Sequence, residues 1–207
     1  MNIDKLTRRG FFATLFGLTG CTFFRSGVAA GMTPRATEGP FYPTPAMRMP
    51  DVDNDLVKVL GLVEEAGGEV LTLKGKITDS DGTPRQGHRI EIWQCDLNGI
   101  YLHPGDSRNI QYDQGFQGFG HDITGEDGSY QFRTIKPGKY PGRTPHIHVK
   151  VFNGDTELLT TQFYVADNPD NQRDSLFRRM SDEQAASVSM VYSDNNNRTE
   201  ATVDIQV

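Results

Sequence analysis

Turn-forming clusters recur along this chain at short intervals, and each separates segments in which apolar and polar residues alternate. Asp79-Ser80-Asp81-Gly82, the stretch from Asp96 to Gly99, Glu126-Asp127-Gly128 and Lys136-Pro137-Gly138 are such clusters. Gly tolerates positive φ, Pro fixes φ, and Asp offers a local acceptor to nearby N–H groups, so each cluster reverses the chain cheaply. Between them, Val70 to Ile77, Arg89 to Gln94, Ser129 to Ile135, His146 to Phe152 and Leu158 to Val165 read as strands. Only Asp174 to Met190 carries a helical pattern. Residues 31–56 read as an extended arm, and residues 102–122, rich in Gly, Asp and Gln, as a long loop. The expected fold is all-β: an antiparallel β-sandwich with long functional loops and one C-terminal helix, with the functional groups on loops at an end or edge of the scaffold.

The N-terminus reads differently. Thr7-Arg8-Arg9-Gly10-Phe11-Phe12 precedes a short apolar run to Gly20, and no acidic residue occurs from Lys5 to Ala36. Paired arginines before such a run resemble a twin-arginine export signal, and the run is too short to span a bilayer. The expectation is a signal segment over 1–30, cleaved near Val28-Ala29-Ala30, delivered by the twin-arginine export machinery to the periplasm or otherwise exported. Leu18-Thr19-Gly20-Cys21 offers the alternative of a lipid anchor at Cys21. Cys95 is the only other cysteine, so a structural disulfide is not expected. Formal net charge is −6 with no basic stripe, which argues against nucleic acid as a partner.

The chemistry concentrates in Lys136-Pro137-Gly138-Lys139-Tyr140-Pro141-Gly142-Arg143-Thr144-Pro145-His146-Ile147-His148. Side chains alternate across a strand, so His146 and His148 share one face while Ile147 points to the other. Two imidazoles on one face can chelate one metal, although a bare pair of this kind is more often a polar strand face. Here the prolines and glycines make a stiff, turning tether that can bring Tyr140 back towards the histidines. His103 and His121, in or beside the long loop, read as loop residues rather than ligands. His88 reads as a surface residue, Trp93 as core or pocket wall, and Tyr42 as either a pocket or an arm-packing residue.

This segment resembles the metal-binding signature of the intradiol ring-cleavage dioxygenases, the family of protocatechuate 3,4-dioxygenase and catechol 1,2-dioxygenase. The resemblance extends to Thr37-Glu38-Gly39-Pro40-Phe41-Tyr42-Pro43, to Gly87 through Tyr101 and to Thr161-Gln162-Phe163-Tyr164. It implies that residues 31–207 form one catalytic β-sandwich domain. It also implies Fe(III) held by Tyr101, Tyr140, His146 and His148, with Tyr140 the ligand displaced by substrate. Arg143 would stabilise charge on the substrate, and Gln162 would be a supporting polar residue. The implied reaction opens a catechol-type ring between its hydroxylated carbons with O2, giving a muconate-type diacid. A free tyrosine has a pKa of about 10, so two tyrosinates at neutral pH require a strong Lewis acid. The family also includes dimers and larger assemblies, which leaves a homo-oligomer open.

One departure stands out. Only Pro141 to Pro145 separate Tyr140 from His146, where family members carry a longer, pocket-lining insertion. The family's usual substrate preference therefore does not transfer. Two rivals remain at this point: a non-catalytic, exported, transthyretin-like binding module, and a zinc or copper enzyme using the His pair with His121 as third ligand.

Overall fold

A computed structural model of the chain describes residues 31–47, 53–62 and 64–207. The expected signal segment, including Arg8, Arg9 and Cys21, lies outside the described residues. Among the described residues, ten strands and one short α-helix follow in order: β1 (Val70–Thr78), β2 (Arg89–Trp93), β3 (Phe119–Ile123), β4 (Ser129–Ile135), β5 (His146–Asn153), β6 (Thr156–Val165), α1 (Asp182–Ser187), β7 (Ser189–Met190), β8 (Ser193–Asn195), β9 (Arg198–Thr202) and β10 (Ile205–Gln206). In one sheet β1 is central, with β4 on one edge and β9 and β10 in succession on the other, β8 lying outside β9. The other sheet runs β3-β2-β5-β6-β7.

The sandwich follows from alternation. Leu71, Leu73 and Ile77 of β1 and Phe132 of β4 pack against Ile90, Ile92, Ile147, Val149, Val151 and Phe163 of the facing sheet, all fully buried in one apolar cluster. Burying each such side chain contributes about 1.5–3 kcal/mol. The expected antiparallel order needs correction at the margins, because β1–β9, β1–β10 and β6–β7 are parallel. These parallel pairs are made by C-terminal strands too short and polar to announce themselves. Opposite Gly75 the pairing with β1 is interrupted between β9 and β10, and the Val203 carbonyl accepts from Tyr130 Oη at 2.6 Å. A Cβ on Gly75 would meet that carbonyl oxygen at 1.8 Å, so only glycine fits there.

Two further expectations are revised. The loop over 102–122 ends in a strand, β3, whose pattern is masked because residues 53–56 cover it. A Cβ at Gly120 would stand 2.4 Å from the Asp53 carbonyl oxygen. The helix expected over 174–190 shrinks to α1, preceded by 3-10 turns at Pro169–Arg173 and Phe177–Arg179. Asp174 draws the N–H groups of Leu176 and Phe177 onto its carboxylate, and Ser181 then starts a new helix with a capping box closed by Gln184.

β5 is buried on both faces from His146 to Val151. Its inner face meets the core; its outer face is covered by the N-terminal arm. Ala36 N–H donates to Thr160 O on the edge of β6, Gln162 Nε2 donates to Thr37 O, Lys150 pairs with Glu38, and Tyr42 Oη donates to Glu91. Among the described residues no helix is long and apolar enough to cross a membrane.

Candidate metal centre

Register sets the histidines in a frame. Trp93, His148 and Gln162 stand abreast on β2, β5 and β6, and His146 pairs with Tyr164 in the next row. All project from the outer face of a central strand. The histidines are therefore not on loops at the scaffold's end or edge; only the tyrosines are. Tyr101 follows β2 after the Asp96 turn, and Tyr140 lies on the short link into β5. The Tyr101 ring lies 5.7 Å from Tyr140 and 6.1 Å from His148, and the two imidazoles are 4.7 Å apart. The four sequence candidates thus converge.

His146 Nδ1 lies 2.7 Å from the Thr144 carbonyl, which can only accept, so the proton sits on Nδ1 and Nε2 presents a lone pair. That Nε2 faces His148 Nε2 at 3.1 Å. Two nitrogens about 2.1 Å from one ion and at right angles would stand about 3.0 Å apart. His148 Nδ1 is buried with no hydrogen-bond partner among the described residues. This imidazole is therefore fixed by packing, stacked 4.8 Å from Trp93 with Gly39 against its edge. Burial, followed by the positive charge of Arg143, lowers His146 to about 4. Burial, His146 and Arg143 push His148 well below the usual histidine value. Both are neutral at pH 7, the state a metal ligand needs. Burial likewise raises Tyr101 far above its ordinary value, so its phenolate requires a cation. Two neutral imidazoles and two phenols fit a hard, highly charged ion such as Fe(III).

Three groups set this cluster that sequence reasoning passed over. Phe41 stacks on Tyr101 at 4.7 Å and meets Tyr140 edge-on, so Phe41 and not Tyr42 covers the tyrosines. Tyr42 instead packs on Trp93. Asp106 accepts from Tyr101 N–H and pairs with Arg108, whose guanidinium lies 5.0 Å over the Tyr140 ring. Asp174 holds Arg143 through Nε at 2.7 Å, while Arg143 Nη2 donates to Gln162 Oε1 at 2.7 Å. The arm's motif was visible in sequence; Asp174 has no local signal at all.

The other histidines stay apart. His103 Nδ1 accepts from Gly105 N–H, and His121 pairs with Glu91 across β2–β3. His88 is buried, not at the surface, with Nδ1 on the Gln86 carbonyl. Cys95 is a free, buried thiol. Among the described residues no three His, Cys, Asp or Glu side chains gather closely enough to hold a metal, which leaves the zinc reading without its third ligand.

Comparison with known proteins identifies the family. A family model described as "Dioxygenase" matches residues 37–207. The chain belongs to the dioxygenase family. The protocatechuate 3,4-dioxygenase beta chain of Burkholderia cepacia is 35% identical over 136 residues, 61% of this chain and 57% of that protein. Hydroxyquinol 1,2-dioxygenase of a Rhizobium species is 30% identical over 166 residues, 72% of this chain and 52% of that protein. This dioxygenase-family chain thus spans about half the length of the curated relatives it matches. Among solved structures, the dioxygenase domain of a carbohydrate-binding fusion from Streptomyces sp. SirexAA-E superposes with a TM-score of 0.65 at 32% identity. The match covers 85% of this chain and 97% of that one.

Proposed function

We propose that this chain is an intradiol ring-cleavage dioxygenase that opens a catechol-type ring between its hydroxylated carbons with O2, giving a muconate-type diacid. Non-haem Fe(III) would be held by Tyr101, Tyr140, His146 and His148. The observation that carries the reading is the 3.1 Å approach of the two imidazole Nε2 atoms beside the Tyr101 ring, which in turn meets Tyr140. When bound, ferric ion would supply the Lewis acidity that ionises phenols and catechol and renders the ring reactive towards O2.

The chain's own residues then divide the work. His146 is locked in the Nδ1–H tautomer by Thr144, which aims its lone pair inward. Tyr101 is buried and would stay; Tyr140 is half-buried on a short loop and would leave, its Oη accepting one catechol proton. Phe41 and Trp93 wall the centre against water. Arg143, fixed by Asp174 and Gln162, would offset the negative charge that develops on the ring, as preorganised cations do. A non-catalytic binding module gives no reason for four such donors to converge. Residues 1–30 are proposed as a twin-arginine export signal, supported by Arg8-Arg9 and the apolar run behind them.

The test is direct. Iron-loaded protein should be red-brown from tyrosinate-to-Fe(III) charge transfer, and should consume O2 with at least one of catechol, protocatechuate and hydroxyquinol. Tyr101→Phe and His148→Ala should lose colour and O2 uptake together. A properly metallated protein that is colourless would overturn the reading.

A further inference from the structure

The loop that carries Tyr140 is gripped by a segment well beyond it in sequence. Lys139 Nζ pairs with Asp170 at 2.6 Å, and Thr144 Oγ1 donates to Asn171 Oδ1 at 2.7 Å. Arg143 Nε and Thr144 N–H both donate to Asp174 Oδ2, at 2.7 and 3.1 Å. The other Asp174 oxygen accepts from Leu176 and Phe177 N–H at 2.9 and 3.1 Å. The Asp174 side chain is 0% exposed. A buried carboxylate is costly, and replacing such a pair with apolar groups is often neutral, so stability alone is a weak reason for it.

What the arrangement does fix is a charge. Arg143 is tied at Nε by Asp174 and at Nη2 by Gln162, and Gln162 is itself tied by its amide to Thr37 O at 2.9 Å. Two of the five guanidinium N–H donors are spent on this anchoring. Besides burial and nearer neighbours, the Arg143 charge acts on Tyr101, His146 and His148, so it stands within electrostatic reach of these three donors.

We propose that Asp174 is the positioning residue of this centre: its carboxylate fixes the Arg143 guanidinium and the Thr144 backbone, and so sets where a positive charge stands relative to a substrate held at the tyrosines and histidines. The inference rests on the functional reading above. Without the carboxylate, a long flexible side chain recovers its rotamer freedom, and a shift of about 1 Å in a catalytic group can cost on the order of a hundredfold.

Asp174→Asn keeps the volume and a carbonyl acceptor but removes the charge. In the iron-loaded full chain it should melt cooperatively and keep the charge-transfer colour, while kcat falls on the order of tenfold to a hundredfold and KM moves by no more than about threefold. In the metal-free protein, the Arg143 Nε–H resonance, assigned by its loss in Arg143→Lys, should exchange slowly in the wild type and fast in Asp174→Asn. Wild-type kcat in the variant, or an unchanged Nε–H signal, would overturn the proposal. So would loss of colour or of the cooperative melt, which would make Asp174 a structural residue. If the wild type itself takes up no O2 with any catechol, the functional reading fails, and the resonance still decides whether Asp174 holds Arg143.

Discussion

His146 and His148 sit neutral in a buried, positively biased environment, and that state has a cost which appears as acid sensitivity. The folded-state value for His146 is about 4, below the ordinary 6.5, because burial and then Arg143 disfavour its charged form. In acid the unfolded chain takes up the proton first. Stability is therefore intact above about pH 6.5 and drains away as pH falls towards 4, by about 3 kcal/mol from His146 alone. His148 adds to the loss in the same direction. The metal-free protein should show a denaturant midpoint clearly lower at pH 4.5 than at pH 7, and His146→Gln should narrow that difference, leaving the share of His148; equal wild-type midpoints would exclude buried neutral imidazoles. At this scale the sequence was legible where a local rule applied. Alternation gave His146 and His148 a common face, and the Pro/Gly tether foretold the return of Tyr140. Tyr101 rested on family resemblance, and nothing near Asp174 marked it as the anchor of Arg143.

The N-terminal arm is the element that turns an open strand face into an enclosed centre. It carries Gly39 onto the edge of His148 and Phe41 onto Tyr101. Gly39 sits at φ 76°, where a Cβ would come 3.2 Å from His148 Cε1, so the approach depends on glycine. Lys150, with a side chain 8% exposed, draws Glu38 down onto β5 and also meets Glu157. Lys150→Met would leave both carboxylates near one another without their cation. The expected result is a looser arm, with tryptic cleavage after Arg35 faster on the order of tenfold, since cutting of a transiently opened segment follows its open population. Unchanged cleavage would mean that the arm's other contacts, among them the bonds of Ala36, Thr37 and Tyr42, hold it without Lys150. The arm's extended character was readable from its prolines and turn formers. Its path over β5 was not, because the partners at Lys150, Thr160 and Gln162 lie more than a hundred residues away along the chain.

For the whole molecule, the centre joins the Tyr101 loop, the Tyr140 link and strand β5 beneath the covering arm, so an ion held there ties together parts distant in sequence. Iron loading should raise the melting temperature. At a thousandfold excess over Kd, mass action gives about 4 kcal/mol, or roughly 10 °C for a domain of this size. Tyr101→Phe should abolish most of that increment, and identical melts with and without Fe(III) would count against the site. The sequence by itself determined the sandwich and its principal strands, because period-two alternation and turn chemistry act within a few residues. It also determined the shared face of the His pair. Tertiary structure decided the parallel C-terminal strands, the strand β3 hidden under residues 53–56 and the shortening of the helix to Asp182–Ser187. It decided, too, which aromatic ring covers the tyrosines and which carboxylate holds Arg143. Those outcomes depend on contacts between distant segments, and local patterning carries no record of such contacts until the chain has packed.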